Sequence, residues 1–409
     1  MYDIVIIGGG IAGLYTALNL NKNKKTILFE KNSYFGGRIY TDNFKINNNN
    51  YSLEAGSGRM LTTHKLMLQL INKMNLSSKL IKIDSKIDFK SSKSYSLTNH
   101  FSGKNGYFFV DKVIEKSKNL DSDLLKSITF KQLASRFLTK EELKFMLDSC
   151  GYYGDLVINN AYNALKVFKK SIRVDKEYYI MKGGFSQLIN KMVDNIKKKH
   201  KLQLNKTCNS IFYNDDKFLL FIDGKPIYTK KLVLAIPQPN LFLIDFLKPY
   251  FPLFKSINCI RLTRIYSIYN KDDVWFHNIK KTTTNNHLKY IIPINKDNGS
   301  IMTSYTDYTN ADYWSKIKNN KKILNQELNK NIENVFSIKP KSPIDIKVYD
   351  WECGVALWKP KYDSDILIPK INHLDKSLPL FIVGENFSKY QGWMEGALHS
   401  VNSCIDKLL

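Results

Sequence analysis

Tyr2-Asp3-Ile4-Val5-Ile6-Ile7-Gly8-Gly9-Gly10-Ile11-Ala12-Gly13 opens the chain, and its reading decides the fold. The first six residues are almost wholly apolar with no polar alternation, the mark of a strand buried on both faces of a parallel sheet. Gly8, Gly10 and Gly13 give the spacing G-x-G-x-x-G, and Leu14 to Leu20 continue in helical period. The first glycine permits the tight turn, the second lets backbone approach a pyrophosphate, and the third lets helix pack on strand. A second strand, Thr26 to Phe29, ends on Glu30, at the distance where an acid accepts from a ribose hydroxyl. Strand, glycine turn, helix and acid together predict a dinucleotide site, where the glycines alone would be a weak sign.

The 409 residues can bury a large core and predict two domains. No run reaches the ~20 apolar residues of a membrane span. The formal charge of +25 could mark a nucleic-acid partner. However, the cations are 56 lysines spread along the chain against six arginines, so nucleic acid is not the expected partner. In such a background each arginine is expected to serve for its fork geometry. The five cysteines are scattered, odd in number and without metal spacing, and read as reduced, mostly buried thiols. The histidines show no ligand spacing either, and no metal is expected.

Beyond Glu30, Ser33-Tyr34-Phe35-Gly36-Gly37-Arg38 places a flexible turn and a guanidinium where a bound pyrophosphate gains from a further cation. Gly8-x-Gly10-x-x-Gly13, Glu30 and Gly36-Gly37-Arg38 together resemble the flavin monoamine oxidase superfamily. That group holds amine, polyamine and L-amino-acid oxidases, with protoporphyrinogen oxidases and carotenoid desaturases as cousins. The resemblance implies FAD. Near the end, Gly384-Glu385 followed by Gly392-Trp393-Met394-Glu395-Gly396-Ala397 is similar to the oxidases' C-terminal pattern. A helix N-terminus there would face the flavin pyrimidine. The residues expected to hold cofactor are Gly8, Gly10, Ile11, Ala12, Gly13, Glu30, Gly37, Arg38, Gly56, Ser57, Gly58, Arg59, Glu385, Trp393 and Met394.

The resemblance further implies two aromatic rings flanking the substrate amine, expected at Trp393 and Trp358; the alternative is that both pack a core. The cysteine that some relatives attach to FAD falls where this chain has Leu357, so FAD is expected to be non-covalent. Arg59, in Gly56-Ser57-Gly58-Arg59, resembles the arginine that clamps a substrate carboxylate in L-amino-acid oxidases; otherwise it braces the flavin or a neighbouring acid. Arg264 stands where most members carry a lysine that assists reaction with oxygen. Arginine stays charged and cannot serve as a base. The catalytic set is thus expected to be Arg264, Trp358, Trp393 and Arg59.

The expected architecture is α/β: a Rossmann-like FAD-binding domain from 1–54, 178–250 and 368–409, interleaved with a mixed α+β substrate domain from 55–177 and 251–367. Ile46 to Tyr51 reads as a hairpin tip, 84–110 as two strands with a loop, 111–175 as helices, and Asp312 to Phe336 as one helix. With its first residues in a working strand and without the C-terminal anchor of some monoamine oxidases, the chain is expected to be cytoplasmic. The expected chemistry is oxidation of an amine or L-amino acid by hydride transfer to flavin, imine hydrolysis, and reoxidation by O2 to hydrogen peroxide. Two other readings stay open: a desaturase or protoporphyrinogen-type oxidase acting on a carbon skeleton, and a catalytically weak FAD-binding protein.

Overall fold

A computed structural model describes residues 1–170 and 176–409. Two sheets organise it. The first runs in the order Cys208–Asn214, Lys217–Ile222, Lys225–Leu234, Tyr2–Ile7, Thr26–Phe29, Lys201–Gln203, with Leu380–Ile382 also paired to the end of Lys225–Leu234. Tyr2–Ile7 is parallel to both its neighbours, and the Cys208–Leu234 stretch forms an antiparallel meander whose last strand turns parallel to it.

The opening strand shows why its sequence is apolar throughout. Ile4 and Ile6 pack on one face beneath the helices, with Leu14, Leu188 and Leu398, while Val5 and Ile7 pack on the other with Phe218, Leu241 and Ile382. Both faces are covered, so neither can be polar. The Ile11–Asn19 helix lies against Ser186–Lys197 and against Met394–Asn402, so the first and last long helices of this layer touch.

The second sheet runs Asp345–Trp358, Ile257–Ile268, Ser300–Asp307, Tyr290–Asn295, Thr282–Thr284, Asp88–Lys90. Its back packs on Trp314, Leu324, Leu328 and Ile332 of two helices. A cluster of short helices between Gly106 and Lys170 closes over a phenylalanine core that includes Phe109, Phe130, Phe145 and Phe168.

Several local expectations meet their cause here. Thr139 caps Lys140–Ser149 by accepting from Glu142 N at 3.2 Å, while the Glu142 carboxylate accepts from Thr139 N at 3.0 Å. The hairpin tip is Asn47-Asn48, both at positive φ, which asparagine tolerates. The single helix expected over Asp312 to Phe336 is instead two, Tyr308–Ile317 and Lys321–Phe336. Asn320 ends the first by capping the second, its side chain accepting from Ile323 N at 3.1 Å. Within 84–110 there is one strand, Asp88–Lys90, followed by the Leu97–His100 helix and the start of Gly106–Lys116, in place of the expected pair of strands. The end of the expected helical stretch, 171–175, lies outside the described residues.

The cysteine expectation is corrected for two of the five. Cys259 and Cys353 form a disulfide with Cα atoms 4.8 Å apart. They sit on paired antiparallel strands at an irregularity where Ile260 faces Val355 but Leu262 already faces Trp351. That local bulge brings side chains 94 positions apart in sequence together, which spacing alone could not announce. Cys150, Cys208 and Cys404 are free. No described helix is long and apolar enough to cross a membrane.

Candidate active site

A cleft of about 830 Å³ runs from the glycine turn to the second sheet. At its front, Gly8 has φ +107°, and an added Cβ would lie 2.4 Å from Ala235 O. Gly13 is closer still, since its Cβ would lie 2.0 Å from Gly8 O. Only glycine allows this turn and this helix start. Gly10 differs: it is extended backbone at the helix N-cap with no side-chain cap, and a Cβ there would meet no protein atom within 4 Å. The turn therefore leaves a cradle at a helix N-terminus, where backbone donors and the dipole favour an anion.

Glu30 lines the same cleft and is buried. Its carboxylate accepts from Gly9 N at 2.6 Å and Asn32 N at 2.8 Å, which fixes it under the turn with lone pairs to spare. Arg38 donates through Nη1 to Gly354 O at 2.8 Å and to Glu385 Oε1 at 2.5 Å. Glu385 also accepts from Asn386 Nδ2 at 2.7 Å and Gly392 N at 2.9 Å. This ion pair, spanning 347 positions, ties the front motif to the rear one. Arg38 and Glu385 thus hold each other as well as facing the cleft.

At the rear, Trp393 is the N-cap of Met394–Asn402 and lines the cleft with Met394. Tyr178 stacks parallel to it, at 6.2 Å between centroids, and His64 meets it edge-on at 5.1 Å. Both ring nitrogens of His64 lack a hydrogen-bond partner, and burial, helped by His399, pushes its pKa down to about 4.

Gly56, Ser57, Gly58 and Arg59 form the floor between front and rear. Arg59 donates to the Tyr152 hydroxyl at 2.5 Å and lies over the Tyr178 ring at 4.4 Å. Arg264 is 8% exposed and donates through Nη1 to Glu54 O at 2.9 Å. Its guanidinium covers the Tyr305 ring at 4.6 Å, and its Nε has no partner. Among the described residues neither Arg59 nor Arg264 has a carboxylate within ion-pair distance.

Of the residues singled out from sequence, all line this cleft except Gly13, which packs helix on strand, and Trp358. Trp358 is corrected. It is 1% exposed in the core on the far face of its strand, donating to Ser388 O at 3.4 Å beside Phe387. Alternation beyond the irregularity explains it: Val355 and Leu357 face the cleft, while Ala356 and Trp358 turn into the core. The cleft tryptophan of that strand is Trp351, whose Nε1 donates to Ala55 O at 2.8 Å. Strand alternation could have found it. Tyr152, Tyr305, Asp155 and Asp307 also line the cleft and carry no local sequence signal.

The comparisons with known proteins agree with this site. A family model described as flavin containing amine oxidoreductase matches residues 11–401. An uncharacterized protein of Acanthamoeba polyphaga mimivirus is 22% identical, covering 99% of this chain and 93% of its own. Putrescine oxidase solved with putrescine bound shares the fold at TM-score 0.75 and 14% identity, over 100% of this chain and 98% of that one. A provisionally assigned protoporphyrinogen oxidase from Exiguobacterium sp. 255-15 shares it at TM-score 0.75 and 13% identity, with the same coverage. The open cradle at Gly10, the fixed Glu30 and the Arg38–Glu385 pair suit a dinucleotide whose far end lies beside Trp393 and Met394. The chain belongs to the flavin-containing amine oxidoreductase family, and its cofactor is FAD.

Proposed function

We propose that this enzyme oxidises an α-amino acid, binding its carboxylate through Arg59. The observation that carries this reading is a cleft guanidinium with tyrosine partners and no acid. An arginine so placed offers donors to an incoming carboxylate in a geometry a simple amine cannot use. Arg264, with its free Nε, stands ready on the same side. FAD, held without a covalent bond, would supply the two-electron acceptor for the substrate C–H, with imine hydrolysis and reduction of O2 to hydrogen peroxide completing the reaction.

The residues of the chain bind and orient. Gly10, Ile11 and Ala12 would offer backbone to the diphosphate, Glu30 would offer a ribose acceptor, and the helix N-terminus at Met394 would offer a positive end to the ring. Trp393 shapes the reacting pocket, its ring packed against Tyr178 and His64. Arg264 keeps its charge where relatives hold lysine, so it can fix a water but cannot take its proton. A carbon-skeleton oxidase would call for a long apolar channel, and the charged side chains of Arg59, Arg264, Asp155 and Asp307 in this cleft speak for a zwitterionic substrate.

The test is anaerobic mixing of FAD-loaded protein with α-amino acids and the amines made by removing their carboxylates. Flavin bleaching should favour the acid of each pair by more than about tenfold, and Arg59→Met should abolish that preference. Bleaching by the amines alone would refute it.

A further inference from the structure

The second sheet sets two kinds of charge on one cleft face. Arg264 pairs with Tyr305 across neighbouring strands, and Leu262 pairs with Asp307 two residues further along. All four line the cleft, as period two requires. Asp307, 4% exposed, accepts from Tyr153 N and Gly154 N, both at 3.0 Å. Asp155, from the Tyr153–Val157 helix, also lines the cleft close enough to repel Asp307, and it accepts from Asn159 Nδ2 at 3.1 Å. Among the described residues neither acid has a cation within ion-pair distance. The nearest internal one, Lys289, is spent on Asp148 O at 3.0 Å.

Resting on the amino-acid reading above, we infer that the substrate is a basic α-amino acid, its carboxylate at Arg59 and Arg264 and its side-chain ammonium at Asp155 and Asp307. The arrangement is complementary at both ends. A diamine would place one ammonium against two guanidinium groups, and an apolar amino acid would leave two acids buried without a counter-ion. Two residues along a strand span about 7 Å, and three or four methylenes beyond Cα cover a comparable distance. The orphaned Nε of Arg264 is a second, separate sign of a ligand here, since a buried donor without a partner is costly. Burial pushes Asp307 up to about 7 and Asp155 up to about 6, the state of acids that lack a cation. The groups acting on Asp307 are Asp155 and the Tyr153 and Gly154 amides from the helix, and Lys289 beside the neighbouring strand.

Calorimetric binding to the FAD-loaded protein at pH 8 tests this without turnover. The ligands are 6-aminohexanoate and hexanoate, which share the carboxylate and lack an α-amine. We expect 6-aminohexanoate to bind at least about tenfold more tightly, and Asp155→Asn and Asp307→Asn each to erase most of that ratio while leaving hexanoate unchanged. Equal affinities for the two ligands, or a ratio untouched in a folded Asp155→Asn protein, would overturn the ammonium site while the carboxylate clamp stood. Binding of 1,4-diaminobutane with neither carboxylate bound would overturn the clamp itself, and this inference with it.

Discussion

Replacing Gly10 by alanine separates cofactor binding from folding at a single atom. The residue has φ −69° and ψ 177°, a conformation open to alanine, and the new Cβ meets no protein atom within 4 Å. The apoprotein should therefore stay within about 1 kcal/mol of wild type, since the gain from a less flexible unfolded chain is offset by alanine's poorer fit at a helix N-cap. The methyl group would instead stand where the diphosphate must approach the helix N-terminus. Losing one hydrogen bond to a charged group costs about 1.5–3 kcal/mol, which is roughly a 10- to 150-fold weaker affinity. Titrating apoprotein with FAD and following quenching of flavin fluorescence gives the affinity, and urea unfolding gives the stability. Gly13→Ala is the contrast, because its Cβ would lie 2.0 Å from Gly8 O, so stability and affinity should fall together. A Gly10→Ala protein with FAD affinity within about threefold of wild type would refute the placement of the diphosphate.

Trp358→Ala should cost about 3–5 kcal/mol of stability, read by denaturant unfolding, yet leave the rate of flavin bleaching in the folded fraction unchanged, since the ring lies outside the cleft. His64→Phe should stabilise the protein in acid. The unfolded chain takes up that proton below about pH 6.5 and the native one only near 4, so wild type loses up to about 3 kcal/mol across that window as pH falls. Urea midpoints at pH 8 and pH 5 give the answer, the variant's advantage being larger at pH 5. Cys353→Ser opens the 94-position loop and should cost about 4–5 kcal/mol in the chain-entropy account, with a linked Cys259–Cys353 peptide found only in non-reduced wild-type digests. Arg264→Lys should speed reoxidation of the reduced flavin by O2 in stopped flow by about tenfold or more, as a group able to give and take a proton replaces one that cannot.

The nucleotide half was legible because its signals are local. A doubly covered strand, a turn that only glycine can make and an acid after the second strand each lie within about thirty residues, where backbone sterics dictate the sequence. The closing Gly392-Trp393-Met394 turn was legible for the same reason. The substrate half was not. Arg264 was marked by the resemblance, but Tyr305, Asp155 and Asp307 join it through strand register and a crossing helix, and nothing near those three in sequence marks the encounter. Trp358 was misplaced by a shift of one on an irregular strand, which exchanges cleft for core. The disulfide arose from the same irregularity. Asn320 broke a helix whose apolar spacing continues on both sides, because an asparagine cap competes with the helix it interrupts.

The most direct measurement is electron density from crystals grown with FAD. The diphosphate should lie at the amides of Gly10 to Gly13, with the isoalloxazine reaching Trp393 and Met394 past the Arg38–Glu385 pair. Density for FAD that touches only one of these motifs, or none, would contradict the claim that the two ends of the chain close on one cofactor.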